Sequence, residues 1–179
     1  MCDVAIRRAW ASDATAIAVV HVAAWREAYA GLLPGRLLRS LSVEEAILKW
    51  RPILSVPRPA VFVAMRPDQT LAGFGSCGPQ RAAELVADGF AGEVEAIYLL
   101  AAEQGRGLGR RLMAVMAQAL IARGQGSAAL WVLRDHQRSR GFYEALGGAL
   151  VGARVEMRGQ VAFHEVAYGW RDLTVLVPA

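Results

Sequence analysis

Glu103-Gln104-Gly105-Arg106-Gly107-Leu108-Gly109-Arg110-Arg111-Leu112 is the stretch that decides the fold. Before it runs Glu93-Val94-Glu95-Ala96-Ile97-Tyr98-Leu99-Leu100, apolar enough to read as a strand. After it, from about Gly107 to Arg123, Leu108, Leu112, Val115, Met116 and Ala119 fall on one side of a helix. Glycines in such a turn let backbone amides approach a ligand closely. The first amides of a helix have no internal partner, and the helix dipole is positive there. Together these make an anion site suited to a pyrophosphate, and Arg106, Arg110 and Arg111 add positive charge to it. Two common phosphate motifs are absent. The dinucleotide fingerprint G-x-G-x-x-G would need glycine at Arg110 or at Leu112, and no Gly-Lys-Ser/Thr ending exists for a Walker loop.

Outward from this turn, the pattern alternates in type. Val4 to Ala9 reads as a strand, and Ser12 or Asp13 caps a helix from Ala14 to about Tyr29 with Ile17, Val20, Ala24 and Ala28 at helical spacing. Gly31 and Pro34-Gly35 break it. Ser42-Val43-Glu44-Glu45 is a capping-box pattern that opens a helix towards Leu54, ended by Pro52, Pro57 and Pro59. Ala60 to Met65 and Leu71 to Cys77 read as strands joined by a turn at Pro67-Asp68-Gln69. A polar connection with a short helix near Arg81 to Val86 leads to the Glu93–Leu100 strand. Beyond the long helix come a strand at Ala128 to Leu133, a short helix at Gln137 to Leu146 stopped by Gly147-Gly148, and strands near Leu150 to Met157 and Val161 to Tyr168. Strands in hairpins mixed with helices predict an α/β mixed sheet rather than a repeating βαβ barrel. With no repeat or linker, residues 1–179 read as a single domain.

Composition narrows the class. The chain is 55% hydrophobic and carries a net charge of +4, which excludes intrinsic disorder. No apolar run is long enough for a bilayer-spanning helix. Basic charge rests on 19 arginines and the single lysine Lys49, scattered without a basic tract, so nucleic-acid binding is not favoured. Cys2 and Cys77 make neither a disulfide framework nor a zinc spacing, and the N-terminus lacks a signal-peptide core. These absences point to a reducing, cytoplasmic setting. The three histidines, His21, His136 and His164, show no metal spacing, so no metal is expected.

The pattern that does fit is Gln-x-x-Gly-x-Gly, at Gln104, Gly107 and Gly109. It resembles the acetyl-CoA signature of the GNAT superfamily of N-acetyltransferases. The later segment Trp131 to Gly147 resembles that family's downstream motif, with Phe142, Tyr143, Glu144 and Gly147 in place; His136 stands at the usual asparagine and Ser139 at the usual alanine. Val4 to Leu33, including Trp25-Arg26-Glu27-Ala28-Tyr29, and the closing Glu165 to Trp170 also look like bacterial members. The resemblance implies a mixed, mostly antiparallel sheet of about six to seven strands flanked by about four helices. It implies acetyl-CoA as co-substrate, with Ile97, Tyr98 and Leu99 serving the pantetheine arm. Gln104, Gly105, Arg106, Gly107, Leu108, Gly109 and Arg110 would serve the pyrophosphate, and His136 the CoA arm with an altered residue.

Acetyl transfer requires an amine to lose a proton, since a free alkyl amine has a pKa near about 10.4. Glu93 and Glu95 lie two apart on one strand, so their side chains share a face and either could be the base. Some members of the resembled family place a base carboxylate eleven residues before the glutamine, at Glu93 here. Tyr143 is the candidate general acid for the departing thiolate, a phenol near about 10 facing a thiol near about 8.5. A backbone amide of the 97–99 strand would meet the thioester oxygen, as the resemblance implies. Trp25 and Tyr29 share a helix face and are either core or a wall of the acceptor pocket, and His164 is placed beside that pocket by the resemblance. The expected reaction is direct attack of a primary amine, from a small molecule or a peptide, on acetyl-CoA. A non-catalytic acyl-CoA-binding module of the same fold is the alternative. The resemblance also allows a homodimer; no membrane partner is expected.

Overall fold

The computed structural model describes residues 4–178, so Cys2 and the rest of the first three residues lie outside it. Its elements run β1 (Ala5–Arg8), α1 (Ala14–Ala28), α2 (Gly35–Arg39), α3 (Val43–Leu54), β2 (Ala60–Met65), β3 (Leu71–Pro79), α4 (Ala83–Ala87), β4 (Gly92–Leu99), α5 (Leu108–Ile121), β5 (Ala128–Leu133), α6 (Gln137–Ala145), β6 (Ala149–Arg158) and β7 (Val161–Trp170). The seven strands form one sheet in the order β1-β2-β3-β4-β5-β7-β6. Every neighbouring pair is antiparallel except β4 with β5. Four helices are substantial, so the α/β architecture expected from the sequence is the observed one. No helix of the described residues is long and apolar enough to cross a membrane.

Alternation along β2 explains how the sheet holds helices on both faces. Ala60, Phe62 and Ala64 pack with Leu108, Leu112, Met116 and Leu120 of α5. Val61 and Val63 pack with Ile17 and Val20 of α1 and with Ala46 and Trp50 of α3. A strand covered on both faces reads as a continuous apolar run, as Ala60–Met65 does. Cys77 sits in the α5-side core with its thiol near the Met116 carbonyl oxygen, and burial pushes that thiol up to about 12.

Two local expectations are corrected, and one short helix is added. Asp13 occupies the N-cap of α1, but its carboxylate turns back, accepting from the Trp10 amide (2.7 Å) and both terminal nitrogens of Arg7 (2.7 and 2.9 Å). The arginine on β1 outcompetes the helix amides because a bidentate charged pair is the stronger hydrogen-bonding arrangement. Pro52 does not end α3; it lies inside the helix, two residues before its last residue. The Pro34-Gly35 break opens the short α2, whose Leu38 is buried with Leu33, Leu133 and Phe163. At Ser42 the cap forms, its hydroxyl accepting from the Glu45 amide (3.2 Å) and donating to Glu44 (2.7 Å).

β3 and β4 approach too closely at Gly73 for any side chain. A Cβ there would lie 2.5 Å from the Tyr98 carbonyl oxygen and 2.3 Å from Leu99 Cδ2. Gly73→Ala is therefore expected to destabilise the fold by about 1–3 kcal/mol, the usual cost of overpacking. Urea denaturation checks this, and an unchanged midpoint would refute the close-approach argument.

Candidate active site

The pairing of β4 with β5 stops after two positions, Gly92↔Ala128 and Glu93↔Ala129. β4 runs on to Leu99 with its β3 edge paired and its β5 edge open. The gap is the throat of a cavity of about 760 Å³. Its walls include Val94 to Leu99 of β4, Leu130 to Val132 of β5, and Ser139, Phe142 and Tyr143 of α6. The same strands also line a second cavity of about 590 Å³. Tyr29, Glu95, Tyr98 and Trp131 border both.

The glycine turn at the mouth of the first cavity is built as an anion cradle. Gly105 (φ +76°) and Gly107 (φ +79°) hold left-handed backbone, and a Cβ on either would meet nothing within 4 Å. Gly107 is the N-cap of α5, with no side chain to satisfy the helix's first amides. The Leu108, Gly109 and Arg110 amides lie in that first turn, which closes when the Arg111 amide reaches the Gly107 carbonyl (3.1 Å). Leu108's own side chain is buried in the core, so only its backbone can serve the cradle. The loop is pinned on several sides. Gln104 Nε2 donates to the Leu99 carbonyl (3.0 Å), Glu103 accepts from Arg66 (2.9 Å), and the Ala101 amide donates to Glu27 of α1 (2.9 Å). Arg110 borders the cavity, whereas the Arg106 guanidinium projects into solvent 3.7 Å from Glu103. Gln104 thus has a structural task, fixing the turn to the end of β4, that its place in the sequence motif did not disclose.

His136 stands at the N-cap of α6, and its Nδ1 accepts from the Ser139 amide (3.1 Å). The imidazole thus caps this helix, a task separate from the CoA-arm contact that the resemblance implies for this position. With Nδ1 as acceptor, the ring's proton sits on Nε2. The ring packs edge-on against Tyr29 and borders the first cavity. About two turns further along α6, Tyr143 lines the cleft, with its ring against Phe142, Tyr168 and Trp170. Burial, and next the Tyr29 phenol, push its hydroxyl well above the ordinary tyrosine range.

Glu93 and Glu95 both reach towards Arg81 but differ in circumstance. Glu93 is held by two hydrogen bonds from the Arg81 guanidinium (2.8 and 2.9 Å) and accepts from the Arg81 amide as well (3.2 Å). Glu95 is 3.7 Å from Arg81 Nε. It is the extra residue of a β-bulge: Ser76 faces Ala96 and Cys77 faces Val94, so Glu95 has no backbone register partner on β3, although its side chain is hydrogen-bonded with Ser76. Bulges re-aim side chains and are frequent beside active sites. Burial raises the Glu95 pKa, Arg81 opposes the rise, and Glu93 adds to it.

Trp25, Tyr29 and Tyr98 form one aromatic wall, with the Tyr29 and Tyr98 hydroxyls 3.3 Å apart. His21 completes it: the ring stacks on Tyr98, and its Nδ1 accepts from Trp50 Nε1 (3.1 Å). Burial, with Lys49 a lesser cause, lowers its pKa to about 4, so it is neutral at pH 7. His164 is not brought to the site. It is exposed and borders neither cavity, while its neighbours Phe163 and Glu165 face the second. The alternation of a strand is the reason: one residue's shift moves a side chain to the other face.

Residues 18–148 match the Acetyltransferase (GNAT) family. The chain is 37% identical over 174 residues to YuaI of Bacillus subtilis strain 168, an uncharacterized N-acetyltransferase, covering 97% of this chain and 96% of YuaI. Among solved structures, a GCN5-related N-acetyltransferase from Rhodopseudomonas palustris superposes with a TM-score of 0.73 at 16% identity, covering 94% of this chain and 96% of the other. PaiA N-acetyltransferase from Thermoplasma acidophilum, in complex with coenzyme A, gives 0.69 at 18% identity, covering 94% and 99%. This chain belongs to the GNAT family and is an N-acetyltransferase.

If His136 acts chiefly as a cap, asparagine should replace it at little cost and alanine should not. His136→Ala is expected to lose about 1 kcal/mol of stability and His136→Asn much less. Thermal denaturation of the two variants decides, and equal losses would sink the capping role.

Proposed function

We propose that the protein moves an acetyl group from acetyl-CoA to a primary amine by direct attack. The carrying observation is the open edge of β4, which runs from the glycine cradle at one end to Glu95 and Tyr143 at the centre of the cleft. The cradle fits a pyrophosphate, because two left-handed glycines and the first turn of α5 leave room and free donors. The open backbone from Ile97 to Leu99 suits an extended amide-bearing arm, as a neighbouring strand would. Other GNAT structures have been determined with coenzyme A (PaiA) or acetyl-CoA (YncA from Salmonella typhimurium, TM-score 0.69 at 17% identity, covering 96% of this chain and 94% of YncA).

Glu95 is the base in this reading. Glu93 is spent on Arg81, whereas Glu95 borders both cavities and its burial makes it a better proton acceptor at neutral pH. Glu95, directly or through water, takes one proton from the ammonium. The amine nitrogen then attacks the thioester carbonyl carbon, the carbon–sulfur bond breaks, and the second amine proton passes to sulfur. Tyr143 supplies the proton to sulfur and is reprotonated from the attacking nitrogen. Its raised pKa keeps it loaded at pH 7. The products are an N-acetylated amine and the CoA thiol.

CoA-thiol release from acetyl-CoA over a panel of amines tests the proposal. Tyr143→Phe and Glu95→Gln are each expected to lower kcat by about 10²-fold or more, while acetyl-CoA at 100 times its Kd still stabilises both variants by about 2.7 kcal/mol. Activity should fall on acidification, because Glu95 works deprotonated. That acid limb should lie above the ordinary glutamate range, since burial raises this pKa, and should vanish in Glu95→Gln. Full turnover by Tyr143→Phe would refute its role.

A further inference from the structure

The second cavity carries information about the acceptor. Its lining includes four carboxylates, on Glu93, Glu95, Glu156 and Glu165. Against them stand three guanidiniums, on Arg81, Arg154 and Arg158. Each guanidinium is already engaged. Arg81 is held by Glu93; Arg154 donates to Glu165 (2.8 Å); Arg158 is paired with Glu156 and with Glu165 (3.2 Å). Two of the three also lie over aromatic rings, Arg154 over Trp131 (4.1 Å) and Arg158 over Phe163 (4.4 Å). The carboxylate in excess is Glu95, with Arg81 Nε no closer than 3.7 Å. The same cavity is lined by Trp25, Trp50, Tyr98 and the uncharged His21, which add aromatic surface and no positive charge.

Resting on the acetyltransferase reading above, we propose that the acceptor is a primary amine without a carboxylate: a compact cation seated at Glu95 with its body on the aromatic wall, not a free amino acid. An ammonium gains Coulomb attraction from the surplus charge and contact with aromatic faces. A carboxylate beside the amine would enter a cavity of net negative charge. It would find, among the described residues lining it, only arginines whose charge is already offset by glutamates, so like charges select against it.

Matched pairs that differ only by the carboxylate test this: tyramine with tyrosine, tryptamine with tryptophan, cadaverine with lysine. In thiol-release assays at least one amine should exceed its amino acid by about tenfold or more in kcat/KM. Glu156→Gln, which frees Arg158 in part, should narrow that ratio. Calorimetric titration of the same compounds onto the CoA-loaded protein needs no turnover and separates the two readings. Tighter binding of the amines without thiol release would uphold this inference and sink the transfer reaction. Amino acids binding as well as their amines, or no binding by any of the six, would overturn the inference whatever the thiol assay gives.

Discussion

The structure depends on how early β4 and β5 part. A parallel pair buried between helices would ordinarily run the length of its strands, since an unpaired buried backbone group costs about 1–3 kcal/mol. Here only Gly92 and Glu93 pair with β5. The closed end is held by close packing: a Cβ on Gly92 would lie 3.1 Å from both Leu120 Cδ1 and the Ser127 carbonyl. Beyond it the strands border a cleft, so the unpaired edge of β4 faces space that water or an extended ligand can fill. The cofactor-side cavity, the second cavity and their shared wall all follow from that divergence.

The bulge at Glu95 is the second consequence. In a regular strand Glu93 and Glu95 would be equivalent, both on one face and both near Arg81. The inserted residue breaks that equivalence, leaving Glu93 as the ion-pair partner and Glu95 as the under-compensated charge at the junction of the cavities. A buried carboxylate with a distant partner is costly to keep. Positions that are costly for stability are those where function is expected to compensate.

Legibility from sequence was uneven, for physical reasons. The long helices and β2 could be read because an amphipathic stripe or a doubly buried apolar run is a local pattern. The Gln104–Gly109 turn could be read because its glycines answer a local backbone demand, positive φ. The short α2 could not, since five residues carry less than two turns of periodicity and Pro34-Gly35 reads equally as a break. His136 could be placed by its position in a motif, but its capping bond to Ser139 depends on how the ring turns. His164 was expected at the acceptor site, yet it lies on the outer side of β7, and strand register is set by the partner strands.

The sequence by itself determined the mixed α/β class, the strand–glycine turn–helix unit and the presence of a tyrosine on the helix that follows β5, because each rests on residues near one another in the chain. Only the tertiary structure decided which glutamate Arg81 holds closely, since that choice rests on Arg81, twelve residues before Glu93, and on a bulge fixed by pairing with β3. It likewise decided the charge of the second cavity. Arg154, Arg158 and Glu165 come from the closing hairpin and Glu93 and Glu95 from β4, and no local pattern tells an ion pair from a vacancy until those strands face each other across the gap.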